Sequence, residues 1–181
     1  MIRILYALIA LAGLGAAPGL AQDYPRKPVH MVVPYAPGGN VDVTARIVAE
    51  QLTQALHQPF VVDNKPGAGG MIAGEFVARA APDGYTLFVG SNGPLILAPL
   101  IYAKPLYKTE DAFAPVSTFS ITPTLLVAGP ATKAKTVREF FDLARQQPGA
   151  LAVSVDAAGS VNHVGSELLQ SLNHVKWLNV I

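Results

Sequence analysis

Several short segments of this sequence join glycine to a small hydroxyl or amide residue at the start of a helical pattern. The first is Tyr35-Ala36-Pro37-Gly38-Gly39-Asn40-Val41-Asp42, and the second is Asn64-Lys65-Pro66-Gly67-Ala68-Gly69-Gly70. A third is Ser91-Asn92-Gly93, and a fourth is Ala158-Gly159-Ser160-Val161-Asn162-His163. A helix start offers unpaired backbone N–H groups and the positive end of the helix dipole, so a carboxylate or phosphate fits there without an arginine. Paired glycines let the backbone approach such a ligand closely. Asn40 either caps its helix or reaches the ligand with its amide. Asn92 is an amide ligand or an ordinary turn residue. His163 falls in the first helical turn, where a lone histidine more often makes a structural hydrogen bond than a ligand contact. Each segment, the second above all, is also explained as a tight turn with nothing bound.

Other chemistries find no residues to carry them. The first loop lacks the three-glycine spacing of a dinucleotide fingerprint and the lysine of a phosphate-binding P-loop. His30, His57 and His174 show no metal-ligand spacing, and no serine sits in a Gly-x-Ser-x-Gly elbow. No pair of carboxylates stands apart from solvated faces. This reads as a binding protein without cofactor, metal or catalytic machinery. Thirteen basic residues balance 12 acidic ones, with no basic stripe, which excludes a nucleic-acid partner. A near-neutral chain has no long-range field to gather anions, so an anion site must be local.

The elements that position these loops alternate. Val29–Val33, Phe60–Val62 and Thr86–Val89 read as strands, with helices from Val41 to about Leu56 and from Met71 to Ala80. Prolines at 94, 99, 105 and 115 leave the stretch from Ser91 to Ser120 as loops and short helical turns. Leu125–Ala128 reads as a fourth strand. Thr136 and Glu139 form a capping box ahead of a helix that stops near Pro148-Gly149. Leu151–Val155 is a fifth strand, and a last helix puts Val164, Leu168, Leu169 and Leu172 on one face. Repeated strand-turn-helix units predict an α/β fold with mainly parallel sheets, whose ligands sit at the carboxyl ends of the strands. An apolar content of 51% is ample for a core and excludes a disordered chain.

Met1-Ile2-Arg3, the uncharged apolar run Ile4–Leu14 and the small residues up to Ala21 have the order of a secretory signal peptide cleaved after Ala21. The alternative, a membrane anchor, is broken by Gly13, Gly15, Pro18 and Gly19. The absence of cysteine excludes disulfides and a lipid anchor on this chain.

Tyr24-Pro25-Arg26-Lys27-Pro28 leads into Val32-Val33-Pro34-Tyr35-Ala36-Pro37-Gly38-Gly39, followed by Asp42, Ala45 and Arg46. That opening resembles the receptors of tripartite tricarboxylate transporters, the Bug family. Asn64 to Gly70, Ala80-Ala81-Pro82-Asp83-Gly84-Tyr85-Thr86-Leu87, Phe113-Ala114-Pro115-Val116, Lys135-Thr136-Val137 and Gly159 to His163 follow in the family's order. The resemblance implies a periplasmic binding protein-like two-lobe fold of type II. It divides the chain into a signal peptide (1–21), the N-terminal part of a first lobe (22–120) and a partial second lobe (121–181). It implies periplasmic capture of a di- or tricarboxylate, acidic amino acid or aromatic acid for the membrane subunits of a transporter. By position, Tyr35, Ala36, Gly38, Gly39, Asn40 and Asp42 would grip a ligand carboxylate, with Gly159, Ser160, Val161, Asn162 and His163 opposite; Asn92 joins the candidate ligand-binding residues from its own turn. Val161 and Asn162 stand where relatives commonly carry small hydroxyl residues. Relatives are far longer, so the second lobe and the return segment of the first are expected to be incomplete. The rival expectations are a non-functional truncated remnant and a small secreted α/β enzyme acting on an anion.

Overall fold

Val29–Val33 forms strand β1, the centre of a three-stranded sheet in the order β2-β1-β3, with β2 at Phe60–Asn64 and β3 at Thr86–Phe88. Both pairings are parallel, setting Val32 opposite Asp63 and Phe88. A computed structural model provides this description for residues 24–156 and 158–181. The expected leader and its cleavage point lie outside them. Parallel neighbours need a crossover, and helix α1 (Asn40–Leu56) supplies the first. Its small residues Ala45 and Ala49, one turn apart, are buried against Met31, Val33 and Val89, with Val41, Val48 and Leu52 around them. The helix ends at His57 in the left-handed conformation, two residues before Pro59.

The other side of the sheet carries α2 (Met71–Ala78). Met71 packs with Ala98 and Tyr107, which bring in the short helices α3 (Ala98–Ile101) and α4 (Thr109–Ala112). Gly74 makes this approach possible, since a Cβ there would stand 2.3 Å from the Tyr107 ring. Tyr107 donates to the Pro94 carbonyl at 2.5 Å, and burial pushes its phenol up to about 12. A π-helical turn at Gly93–Leu97 precedes α3, so the proline-rich stretch does hold only short helical pieces.

The second sheet is smaller. Strands β4 (Ala152–Ser154) and β5 (Leu178–Val180) pair in parallel. Helix α5 (Val137–Gln146) precedes them and α6 (Val161–Asn173) crosses between them. The expected capping box is present: Thr136 Oγ1 accepts from Glu139 N, and Glu139 Oε2 accepts from Lys135 N, one residue before the cap. Trp177, Ala144 and Val175 form the core here, with Phe140, Phe141, Leu151, Val153 and Leu169 against them.

Two sequence expectations fail in this region. Leu125–Ala128 is not a strand; Leu125 is 76% exposed and Val127 78%. A strand needs a ladder partner, and no described strand lies beside this segment. On α6, Leu169 packs inward, but Leu168 and Leu172 are exposed while Ser166 and Gln170 are buried. The reason is the position of Trp177, whose Nε1 donates to Ser166 Oγ and whose backbone N–H donates to Gln170 Oε1, both at 2.8 Å. Among the described residues, no helix is long and apolar enough to cross a membrane.

Candidate functional site

The first loop leaves β1 through the buried Pro34 and exposes residues 36–40 to solvent. Gly38 has φ +84°, a conformation that disfavours any side chain, whereas Gly39 has φ −73°, and a Cβ on it would only make ordinary contact with the Ala36 carbonyl at 3.6 Å. The glycine demanded by the turn is therefore Gly38. Gly39 occupies the N-cap position of α1 without a side-chain cap, and Asn40 is already helical. Asn40 thus leaves the capping role and turns its amide outward, donating to Thr122 Oγ1 at 2.9 Å.

Asp42 has a different role from the one its position suggested. Its side chain is 3% exposed and both oxygens are occupied. Oδ2 accepts from Gly38 N at 2.8 Å and Arg46 Nε at 3.1 Å, and Oδ1 accepts from Asn64 Nδ2 at 2.9 Å and Arg46 Nη2 at 2.9 Å. Asn64 also donates to the Tyr35 carbonyl and accepts from Arg46 Nη2, both at 3.0 Å. The Arg46 hydrogen bond, then those from Gly38 and Asn64, hold the Asp42 carboxyl at about 2. Asp42 therefore fixes the shape of the loop and ties it to β2, and its oxygens are turned to the protein.

The second loop is structural. Gly70 has φ +92°, and a Cβ on it would meet Pro34 and Pro94 side chains at 2.9 Å. Lys65 stands 4.2 Å above the Phe76 ring. In the third segment Asn92 is exposed, and its neighbour Ser91 makes the contact to the first loop, with Oγ 2.7 Å from Tyr35 Oη. Burial raises the Tyr35 phenol above its ordinary value.

The fourth loop is organised from within. Ser160 caps α6 by accepting from His163 N at 3.1 Å, and its hydroxyl donates to Asp156 Oδ1. His163 Nδ1 accepts from Gly159 N at 3.2 Å, which places any proton of the neutral ring on Nε2. His163 thus braces the loop from within. Gly159 and Ser160 are buried, and Val161 and Asn162 are exposed.

The segment Thr122-Pro123-Thr124 brings the first and fourth loops together. Thr122 receives the Asn40 amide, and Thr124 Oγ1 donates to Asn162 Oδ1 at 3.3 Å. Ala158 O would lie 3.5 Å from a Cβ on Gly69, so the fourth loop also touches the second. Thr122 and Thr124 were not singled out from sequence, because nothing local marks a residue whose partner is far along the chain. The starts of α1 and α6 thus flank one threonine-bearing segment, with side-chain amides, hydroxyls and first-turn N–H groups and no lysine or arginine in either loop. Such an arrangement suits an anion held by hydrogen bonds. Among the described residues no group of histidine, cysteine or carboxylate side chains could hold a metal.

A family model, the tripartite tricarboxylate transporter family receptor, matches residues 44–180. The chain belongs to this family. The receptor-family relative BugT of Bordetella pertussis is 37% identical over 171 residues, which cover 94% of this chain and 52% of BugT. Among solved structures, an R. palustris protein with adipate is 34% identical with a TM-score of 0.83, covering 87% of this chain and 52% of that one. MatC from Rhodopseudomonas palustris with bound malate is 35% identical with a TM-score of 0.79, covering 87% and 53%. The chain spans about half the length of these receptors. The α/β architecture expected from sequence is therefore that of periplasmic binding proteins, matched over about half of their fold.

Proposed function

We propose that this chain carries the carboxylate-gripping loops of a periplasmic solute receptor, and that a small carboxylate is its ligand. The observation that carries this reading is the approach of two helix starts, at Asn40 and Val161, to the single segment Thr122–Thr124, from loops that carry no lysine or arginine. A carboxylate there is held by first-turn N–H groups, the Asn40 and Asn162 amides and the threonine hydroxyls. Gly38 and Gly39 keep the backbone bare, and Asp42 keeps the loop in shape. The family is one of solute receptors rather than enzymes. Adipate and malate in two neighbours support the ligand class. Delivery to the membrane subunits of a tripartite transporter, export through the leader at residues 1–21, and lobes at 22–120 and 121–181 complete the proposal.

Calorimetric titration with dicarboxylates and acidic amino acids tests it. Gly38→Val forces a β-branched side chain onto φ +84° and should weaken binding by about tenfold or more, or 1.4 kcal/mol per decade. Lys65→Ala should change affinity little, because that ammonium lies over Phe76. Loss of binding in Lys65→Ala with retention in Gly38→Val would place the ligand in the second loop instead.

A further inference from the structure

The fourth loop meets the unit around the first sheet a second time, through residues other than the threonine segment, at the end of α3. Tyr102 follows that helix, and its N–H donates to the Ala98 carbonyl at 3.0 Å. Ala98 is fully buried beside Met71 and Tyr107, so the Tyr102 ring is mounted on the core of the first unit, yet it stays 36% exposed. Two glycines face the same edge of that ring. A Cβ on Gly69 of the second loop would stand 3.8 Å from Tyr102 Cε2. One on Gly159 of the fourth loop would stand 4.0 Å from the same atom and 3.8 Å from Ile101 Cδ1. These are ordinary contact distances for a carbon that neither glycine has, so a narrow space separates the ring edge from each backbone. The fourth loop across that space is firm, since Gly159 N is held by His163 Nδ1 and Ser160 caps α6. Among the described residues the two sheets share no strand pairing, so the space lies where one unit can shift against the other.

We propose that Tyr102 is a positioning residue for ligand binding: the fourth loop settles toward its ring as the two helix starts close on a ligand, and the ring edge is where that movement stops. The inference rests on the carboxylate-receptor reading and adds a residue outside the loops that hold the ligand. A contact between ring and backbone that is made only in the settled state stabilises that state and lengthens ligand residence. A smaller side chain forfeits the contact. A larger one fills the space before the loop has arrived. Because the ring acts through Gly159 and not on the ligand, its effect is the same for ligands of different length.

The test is calorimetric titration of the full chain with succinate, glutarate and adipate, together with their dissociation rates. The ring is the position to vary, since Gly69 and Gly159 have φ +64° and +77°, where any side chain is strained. Tyr102→Ala should weaken all the ligands by a common factor of about tenfold, mostly through faster dissociation. Tyr102→Trp should also weaken them all, and Tyr102→Phe should bind as the wild type does. Wild-type affinity in Tyr102→Ala or Tyr102→Trp, a loss confined to one ligand, or a loss in Tyr102→Phe equal to that in Tyr102→Ala would overturn the positioning role and leave the receptor reading standing. Failure of the wild type to bind any of these ligands would overturn both. Should Tyr102→Ala fail to fold, Tyr102→Trp and Tyr102→Phe decide.

Discussion

The first sheet and the second use the same strand-helix-strand unit and reach different degrees of closure. In the first, β1 has a neighbour on each side, and Val29, Val32 and Val33 are fully buried. In the second, β4 and β5 have only one another among the described residues, and Leu178 and Val180 stay 58% and 49% exposed. Its core rests on one large aromatic residue, Trp177, and a polar network through Ser166, Gln170 and Asn179. A parallel sheet is stable when both faces are covered, so two strands with one covered face depend heavily on few contacts. Each sheet nonetheless delivers one loop to the site, the first locked by Asp42 and the second by Ser160 and His163.

The strongest way to break this comparison is Trp177→Ala. Removing a 5% exposed indole that packs on Phe140 and Phe141 should cost the second unit about 3–5 kcal/mol. Hydrogen exchange should then show lost protection at Val155 and Leu178 N–H, which bond across β4 and β5. Protection at Val29 and Val89 N–H in the first sheet should persist. Simultaneous loss in both sheets would mean that the two form one cooperative unit.

A smaller effect sharpens the contrast between the loops. The Asp42 carboxyl titrates at about 2 when folded against 3.8 ordinarily, so its contribution is complete above pH 3.8 and is lost as pH falls through about 2. Asp42→Asn should remove this acid-sensitive step from the first loop, loosening Gly38 at neutral pH while leaving the Ser160–His163 loop intact. Amide exchange at Gly38 and Gly159 between pH 2 and 6 checks it; an unchanged Gly38 would show that Arg46 and Asn64 hold the loop without the carboxylate.

The smallest effect is expected on the outer face of α6. Leu168→Gln and Leu172→Gln, at side chains 55% and 68% exposed, should shift stability by no more than about 0.5 kcal/mol and reduce dye binding to apolar surface. A loss of several kcal/mol in a thermal melt would mean that something covers this face in solution.

The sequence by itself determined the elements with local causes. β-Branched runs gave β1 and β2, Val41, Ala45, Val48 and Leu52 at helical spacing gave α1, and Thr136 with Glu139 gave the start of α5. It also picked out both loops proposed to hold the ligand, since glycine before a helix start is a local signal, and the order of the motifs along the chain marked the family. Tertiary structure decided what depends on partners distant in sequence. It withheld a ladder from Leu125–Ala128, which makes an apolar run exposed coil. It turned Ser166 and Gln170 inward on α6, because Trp177 sits on that side. It made Asp42 a clamp by bringing Asn64 to it, and it brought Thr122 to Asn40 and Thr124 to Asn162. Helix and turn signals arise from residues a few positions apart, whereas a hydrogen-bond partner far along the chain exists only once the chain has closed on itself.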